Sequence, residues 1–379
     1  MTSSTANVVP PWNPPAPTTH DLDWAEILTV DLEKDTTDRD ELVAIVSKAV
    51  ERDGFLYVVG HGIPDAVLER QFDLGQLCFD GVDRAEKEAH QAKIKETGSW
   101  MGYKVTGLKL QKYWQIKDGV RDRIEHYNFY QNHIEPAKKH PRAIQPHVAE
   151  IQAFILQSRT VLRRILSLID SVLGLEEGYL WSLHQTPEGI TSDDVFRYMM
   201  YEPLTAAESA TTKGVMLNGH TDFNSISILI SQPIAALQVL MPDNVWRFVR
   251  HRDGALVINL GDQLSFMSGG IVKATMHRVV SPPPDQVHLR RLGVFHFAHF
   301  LPGVPLDLLP SDRVRKDGRQ IFDGAIPTTD EWERKRVKSY GTEEFIKGEE
   351  YDIEMLAGLQ KLPDFHINYD EKLSATLQS

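Results

Sequence analysis

The sequence has a single cysteine, no long apolar run and no excess of positive charge. Because Cys78 is the one cysteine among 379 residues, no internal disulfide can form, and its amphipathic surroundings predict a helix that buries the thiol. No stretch of about 18 apolar residues is present to span a bilayer, and the N-terminus lacks the charged and apolar segments of a signal peptide. These absences favour a protein of the reducing cytoplasm.

The charge balance bears on the expected partners. The formal net charge is −12, and no block of Lys and Arg alternates with aromatic residues. Nucleic acids and anionic membrane surfaces are therefore poor candidates as partners, and a small-molecule substrate is the better expectation. The 41% of hydrophobic residues are sufficient for a large core.

The composition changes along the chain in a way that predicts four regions. Residues 1–24 are rich in Pro, Ser and Thr and predict a disordered arm. Residues 25–140 predict a mixed α/β N-terminal region with a charged, partly exposed helix over 83–96, and this region ends in a Gly- and aromatic-rich segment expected to form loops and short strands over a pocket. Residues 141–305 predict a long helix ending at Gly174 and then eight short strands. Residues 306–379 predict a C-terminal helical extension, with helices over 328–341 and 342–359.

The eight β-rich runs between residues 193 and 301 determine the expected fold class. They are short and separated by turn residues, as in a jelly-roll barrel. We therefore expect a mainly β protein with flanking helices, in which the long helix packs on the barrel.

Three residues in this part of the chain have the spacing of a mononuclear metal site. His220 and Asp222 are two residues apart, so in a strand both side chains would point to the same side. His277 lies in IVKATMHRVV, a run rich in β-branched residues that predicts another strand. Two imidazoles and one carboxylate leave coordination positions open, which suits Fe(II) better than a closed structural zinc site.

Longer motifs around these residues resemble a known family. The segments GFLYVVGHGI, NGHTDFNSISILI, ALVINLGDQLSFMSGG, KATMHRVVSPP and RLGVFHF are similar to the isopenicillin-N-synthase-like branch of the iron(II)/2-oxoglutarate-dependent dioxygenases, with fungal-type character. The resemblance covers roughly residues 25–305. It implies a double-stranded β-helix core, Fe(II), 2-oxoglutarate and O2, with release of succinate and CO2. The implied iron ligands are His220, Asp222 and His277.

The resemblance also implies residues that bind 2-oxoglutarate. The family's Arg-x-Ser motif aligns with Arg291, so that Gly293 stands at the serine position and leaves space that a water would fill. In a register shifted by one residue, Arg290 would bind the carboxylate instead. Tyr201 is the implied second contact to 2-oxoglutarate, and Met199 replaces an asparagine that relatives often carry.

Residues of the substrate pocket follow from alternation along the strands and from the resemblance. Alternation from Arg291 predicts Phe297 as a pocket residue, and Phe223 is a candidate because it follows Asp222. Arg197 is either a substrate contact or a buried ion-pair partner. Tyr103, together with Lys104, resembles the part of the family that folds over the substrate. His299 is the alternative third ligand because it shares a face with Arg291.

The resulting prediction is a 2-oxoglutarate-dependent oxygenase that hydroxylates or desaturates a small organic metabolite, in specialised metabolism. Two alternatives stay open at the level of the sequence. One is an iron oxidase that does not use 2-oxoglutarate, and the other is a catalytically silent binding module, which the missing serine at Gly293 would permit.

Overall fold

The structure is a computed structural model that describes residues 9–93, 97, 99–106, 115–130, 139–186, 192, 194–322 and 325–339, with the backbone alone for 335–339. The strands in chain order are β1 (Thr29–Asp31), β2 (Phe55–Val59), β3 (Gly102–Lys104), β4 (Gln115–Lys117), β5 (Val120–Arg121), β6 (Ile124–Tyr130), β7 (Val195–Tyr201), β8 (Val215–His220), β9 (Ile226–Ile230), β10 (Leu237–Leu240), β11 (Trp246–Phe248), β12 (Leu256–Leu260), β13 (His277–Val280) and β14 (Arg291–Ala298). The helices are α1 (Arg39–Lys48), continued by a π-turn over Ala49–Asp53, α2 (Asp65–Asp80), α3 (Arg84–Ala89), α4 (Val148–Leu173), α5 (Tyr179–Ser182), α6 (Ala206–Thr212), α7 (Asp262–Met267), α8 (Asp312–Asp317) and α9 (Thr329–Ser339).

Two sheets form the barrel. The larger has the strand order β1-β2-β12-β9-β14-β7-β6-β3, and the smaller has the order β11-β10-β13-β8. All eight strands predicted between residues 193 and 301 are present, and the predicted jelly-roll fold is confirmed. The larger sheet combines strands from the N-terminal region with strands from the region that follows it, so both regions contribute to the cavity described below.

Helix α4 covers the outer face of the larger sheet. Its apolar stripe is buried along its whole length, and Phe154 contacts Phe196 of β7 with ring centroids 5.5 Å apart. The helix ends where predicted, because Gly174 adopts the left-handed conformation (φ 68°) that glycine favours. The helix predicted around Cys78 is α2, and the thiol is fully buried.

Three features differ from the predictions or lie beyond the described residues. The described part of the N-terminal arm is not disordered, because Trp12 stacks on Phe72 at 4.3 Å and the Thr18 hydroxyl donates to Asp285. The charged helix predicted after residue 83 is short and ends at Ala89, because the chain then pairs with Tyr103 of β3. The second C-terminal helix predicted over 342–359 lies outside the described residues. Within the described chain, no helix combines the length and the apolar character needed to cross a bilayer.

Candidate metal centre and the cavity around it

The structure brings together the three side chains predicted as metal ligands. His220 is the last residue of β8 and His277 is the first residue of β13, and the two are direct partners in this antiparallel pair. Asp222 lies beyond the end of β8, so the irregular segment after the strand, and not the predicted strand alternation, directs its carboxylate inward. Nε2 of each histidine is 3.8 Å from Oδ1 of Asp222. One ligand atom from each residue lies within 4.8 Å of the others, which is the arrangement of a three-ligand metal site.

Hydrogen bonds fix which nitrogen atoms of the two imidazoles face the site. Nδ1 of His220 donates to the carbonyl of Asn218 at 2.9 Å, and Nδ1 of His277 donates to the carbonyl of Thr275 at 3.1 Å. Since a carbonyl oxygen can only accept, the proton of each neutral ring lies on Nδ1. Both Nε2 lone pairs are therefore directed at the space beside Asp222, as ligation requires.

The carboxylate of Asp222 is held in the same way. Its Oδ2 accepts hydrogen bonds from the Ser227 hydroxyl at 2.6 Å and from Nδ2 of Asn259 at 2.9 Å, which leaves Oδ1 for the imidazoles. Burial acts to raise the pKa of Asp222, but positive charge on the neighbouring His277 and His220 when they are protonated, together with the two hydrogen bonds, outweighs it, so the pKa lies below its ordinary value. The carboxylate is therefore ionised and oriented, as expected of a metal ligand. The sequence analysis missed both Ser227 and Asn259.

Arg291 faces the same cavity as the three candidate ligands. Its side chain is buried, and its Nε and Nη1 atoms make no hydrogen bond to any described residue. Arg290, by contrast, is exposed and pairs with Asp80 and Glu202 at 2.8 Å each. The register of β14 therefore directs Arg291, and not Arg290, into the cavity.

Tyr201 is the partner of Arg291 across β7 and β14, and the guanidinium lies 5.2 Å from the centre of the tyrosine ring. Tyr201 is buried and also lines the cavity. Burial raises the pKa of its hydroxyl to about 12, so the phenol is neutral and can donate a hydrogen bond.

The space beside Gly293 is filled by a neighbouring ring and does not offer room for the expected water. A Cβ atom at this position would lie 2.4 Å from Cε2 of Phe295. The Phe295 ring itself is stacked with Phe297, with centroids 5.7 Å apart and an angle of 8° between the planes. The absent serine is thus replaced by an aromatic wall.

Part of the cavity is lined by an aromatic cluster, which we call the aromatic chamber. It consists of Trp100, Tyr130, Val195, Phe223 and Phe297. The predicted pocket residues Phe223 and Phe297 are thus placed on the cavity. Trp100 and Tyr130 were not predicted individually, although they belong to the segment expected to cover the pocket.

Arg197 also lines the cavity, beside the aromatic chamber. Its Nε donates to Oδ1 of Asn128 at 2.6 Å, and its guanidinium lies 4.8 Å from the centre of the Phe297 ring. Lys104 reaches the cavity from β3 and pairs with Asp122 at 2.6 Å. The cavity wall on this side therefore combines aromatic surface with the guanidinium of Arg197 and the ion pair of Lys104 with Asp122.

Tyr103 does not belong to the pocket, and that prediction is wrong. Successive residues of β3 point to opposite faces, so Lys104 reaches the cavity while Tyr103 packs among the helices on the other side. The hydroxyl of Tyr103 donates to the carbonyl of Cys78 at 2.7 Å. Its position is structural.

The two histidines in and just after β14, His296 and His299, are not part of the triad. His296 points away from the cavity, where it contacts Ser158 at 2.8 Å and Asp194 at 3.3 Å. His299 does line the cavity, but it lies next to Phe223, with ring centroids 5.9 Å apart, and outside the three-residue cluster. The geometry therefore favours His277 over His299 as the third ligand.

Comparison with known proteins agrees with this geometry. Residues 193–299 match the 2OG-Fe(II) oxygenase superfamily, and residues 27–149 match the N-terminal region of the non-haem dioxygenases in morphine synthesis. The chain is 28% identical to flavonol synthase 1 of Crocosmia x crocosmiiflora over 70% of this chain and 74% of that protein. It is 35% identical to the 2-oxoglutarate-dependent dioxygenase frbH of Dothideomycetidae sp. (strain 11243) over 51% of this chain and 54% of that protein.

Solved structures share the fold. A full-length Neurospora crassa protein in complex with alpha-KG and thymine superimposes with a TM-score of 0.69 and 18% identity, over 84% of this chain and 99% of that protein. The two family matches together cover more than half of the chain, and they include the three candidate ligands and Arg291. The chain therefore belongs to the 2OG-Fe(II) oxygenase superfamily, whose members are oxidoreductases that use Fe(II), 2-oxoglutarate and O2.

Proposed function

We propose that His220, Asp222 and His277 hold Fe(II), and that Arg291 and Tyr201 bind the far carboxylate of 2-oxoglutarate. The substrate, a small organic molecule, then occupies the aromatic chamber and is hydroxylated or desaturated there. The observation that most directly supports this proposal is the buried guanidinium of Arg291, which faces the same cavity as the three candidate metal ligands.

The donor set fits the iron ion. Two imidazoles and one carboxylate would hold the ion and would leave positions for further ligands. The hydrogen bonds from Ser227 and Asn259 to Oδ2 of Asp222 leave Oδ1 directed at the two Nε2 atoms. The carboxylate is therefore expected to bind through one oxygen, which keeps the other positions open.

The surroundings of Arg291 fit the cosubstrate. A buried guanidinium is costly unless an anion pairs with it, and no carboxylate of the described chain does so. The far carboxylate of 2-oxoglutarate supplies that anion and accepts two parallel hydrogen bonds from the guanidinium. The neutral Tyr201 hydroxyl is placed to donate a third. When bound, Fe(II) and 2-oxoglutarate supply the activation of O2, with 2-oxoglutarate converted to succinate and CO2.

The protein itself contributes placement and exclusion of water. The rings of Phe223, Phe297 and Trp100 shield the space next to the metal site, and no acid or base side chain is needed to transfer a proton in a hydroxylation. We infer that the substrate has an aromatic or flat apolar body, because the chamber walls are aromatic. Arg197 is the proposed contact for a polar group of that substrate.

The relatives support a role in specialised metabolism, since several are named for reactions on plant metabolites, such as flavonol synthase and gibberellin 20 oxidase. The single buried cysteine supports a reducing compartment, and we propose the cytoplasm.

The experiment is a succinate-release screen with candidate aromatic metabolites, Fe(II), O2 and 2-oxoglutarate, followed by mass analysis of the product. We expect succinate only when 2-oxoglutarate is present, and a product that has gained one oxygen atom or lost two hydrogen atoms. Turnover without 2-oxoglutarate would favour the iron oxidase alternative. Binding of Fe(II) without any affinity for 2-oxoglutarate would favour the silent module.

A further inference from the structure

We propose that His299 and Glu333 form a polar subsite at the edge of the aromatic chamber, and that it binds a hydroxyl group on an aromatic substrate. This inference rests on the proposed function, because it names the chemistry of the substrate for the same cavity. Both side chains line that cavity, although they come from distant parts of the chain. Glu333 lies on α9, outside both segments that match the family.

His299 has a polar atom that the described part of the chain leaves unsatisfied. Its side chain is 4% exposed, and Nδ1 makes no hydrogen bond to any described residue. The nearest carboxylate oxygen, Oε2 of Glu333, is 3.6 Å away, which is too far for a hydrogen bond. An unsatisfied buried polar atom costs free energy that a ligand group can recover.

The backbone holds both residues in place. The N–H of His299 donates to Oδ1 of Asp194 at 2.9 Å, which fixes the chain just after the end of β14. On α9, Trp332 is buried against Phe266 with ring centroids 4.9 Å apart, and this contact anchors the neighbouring Glu333. The two side chains are therefore preorganised, so that binding a ligand group costs little ordering.

The subsite lies at the opposite end of the cavity from the proposed 2-oxoglutarate site. Arg291 and Phe297 lie on one face of β14, and His299, just after the strand, continues that alternation; the six residue steps from Arg291 to Phe297 span roughly 20 Å of extended strand. This distance is much longer than a five-carbon dicarboxylate. His299 and Glu333 are thus available to a second ligand, the substrate.

The side chains of His299 and Glu333 determine which functional group of a ligand the subsite can bind. The Glu333 carboxylate accepts hydrogen bonds, and the imidazole of His299 can donate or accept. A hydroxyl group both donates and accepts, so it can bridge the two. A second carboxylate would be repelled by Glu333. Phe223, whose ring centroid is 5.9 Å from that of His299, and Phe297 provide aromatic surface for the rest of the molecule.

The simpler interpretation is that the pair only attaches α9 to the barrel. If the pair is a subsite, the hydroxyl group of a bound ligand contacts His299 and Glu333, and if the pair is only structural, it does not. A matched pair of probes distinguishes these interpretations. 2-Naphthol carries a hydroxyl, and 2-fluoronaphthalene has nearly the same size and shape without a donor. A structural role alone predicts no difference between the probes that depends on either residue.

Binding of both probes is measured by calorimetry to the full chain loaded with Mn(II) and 2-oxoglutarate, for the unaltered protein, His299→Phe and Glu333→Gln. We expect 2-naphthol to bind the unaltered protein about tenfold more tightly or better, as a hydrogen bond to a charged group provides, and we expect this preference to fall below about threefold in each variant. Glu331→Gln removes the same charge from an exposed position on α9 and should keep the preference.

Several results would overturn the subsite. They are equal binding of the two probes to the unaltered protein, no binding of either, or a hydroxyl preference that survives in both variants. If His299→Phe fails to fold, Glu333→Gln still decides, because this residue is only partly buried. Loading with 2-oxoglutarate is measured first and separately. Failure at that step contradicts the proposed function, whereas normal loading without a hydroxyl preference contradicts only the subsite.

Discussion

Replacing Arg291 with methionine is expected to change cosubstrate binding and protein stability in opposite directions. Methionine keeps much of the volume but removes the charge. A bidentate guanidinium–carboxylate pair contains two charge-assisted hydrogen bonds, each worth about 1.5–3 kcal/mol, and part of this is offset by desolvation. We expect a net loss of about 2–4 kcal/mol, which weakens the binding of 2-oxoglutarate by roughly 30- to 700-fold.

The ligand-free protein should behave differently. Burial disfavours the charged form of Arg291 and lowers its pKa, and Nε and Nη1 lack hydrogen-bond partners among the described residues. An unsatisfied buried polar group costs about 1–3 kcal/mol, so its removal should leave the free energy of unfolding unchanged or raise it by about 1 kcal/mol. If Arg291 instead stabilised the fold, its replacement would lower the free energy of unfolding.

Calorimetry with 2-oxoglutarate and denaturant unfolding of the ligand-free protein test both halves of this prediction. Arg290→Met is the matched control, because Arg290 is adjacent in sequence, exposed and paired with Asp80 and Glu202. It should leave the binding of 2-oxoglutarate within about threefold, since surface ion pairs contribute little. The reasoning is refuted if Arg291→Met weakens 2-oxoglutarate by less than about tenfold, or if Arg290→Met weakens it as much.

Three further predictions concern the metal site and the core. His277→Ala should abolish succinate release and the rise in melting temperature that Mn(II) produces in the unaltered protein, because binding to the native state alone stabilises it. Asn259→Ala should weaken Co(II) binding by about 10- to 100-fold, because one of the two hydrogen bonds that orient Asp222 is lost. Burial lowers the pKa of His184 to about 4, whereas the unfolded value is about 6.5. The stability that this neutral histidine contributes is complete above pH 6.5. About 3 kcal/mol of it is lost as the pH falls toward 4. In His184→Gln, the unfolding free energy should therefore depend less on pH in this range.

Each of these has an outcome that would contradict it. The exposed His288 is the control for His277, and equal metal affinity of the His277→Ala and His288→Ala proteins would remove His277 from the site. Unchanged Co(II) affinity in Asn259→Ala would mean that the hydrogen bond to Asp222 does not orient it. A pH dependence that is the same with and without His184 would assign the acid sensitivity to other groups.

The part of the site on β14 was predictable from sequence because strand geometry is local. Side chains alternate with a period of two, so fixing the direction of Arg291 also fixes Phe295, Phe297 and His299. His277 was placed on a strand by its β-branched surroundings over residues 271–280, but the observed strand β13 begins only at His277. Alternation gave the right result for Asp222 for an incomplete reason, since β8 ends at His220 and the irregular segment after it carries the carboxylate into the site.

The residues that sequence reasoning missed reach the site through the packing of separate elements. Ser227 and Asn259 meet at Asp222 because β9 and β12 are neighbours, and Glu333 arrives on a helix far along the chain. Ser227 and Asn259 lie within segments that carry the family resemblance, but nothing local in those segments shows that the two side chains meet at Asp222. Tyr103 shows the converse problem, because a three-residue strand carries too few residues for its pattern to reveal which face is inside.

At Gly293, the absence of the motif serine removes a hydroxyl group and also changes how the neighbouring side chains pack. Its lack of a Cβ allows the Phe295 ring to approach the backbone of its own strand, where any larger residue would meet that ring at 2.4 Å. The ring is also stacked with Phe297, so the packing at Gly293 extends to the aromatic chamber. On the proposed function, the cosubstrate is then held by Arg291 and Tyr201 against an aromatic wall. The space that a serine hydroxyl would occupy beside the cosubstrate is filled by the Phe295 ring. Through its stacking with Phe297, this ring is continuous with the aromatic surface around the substrate.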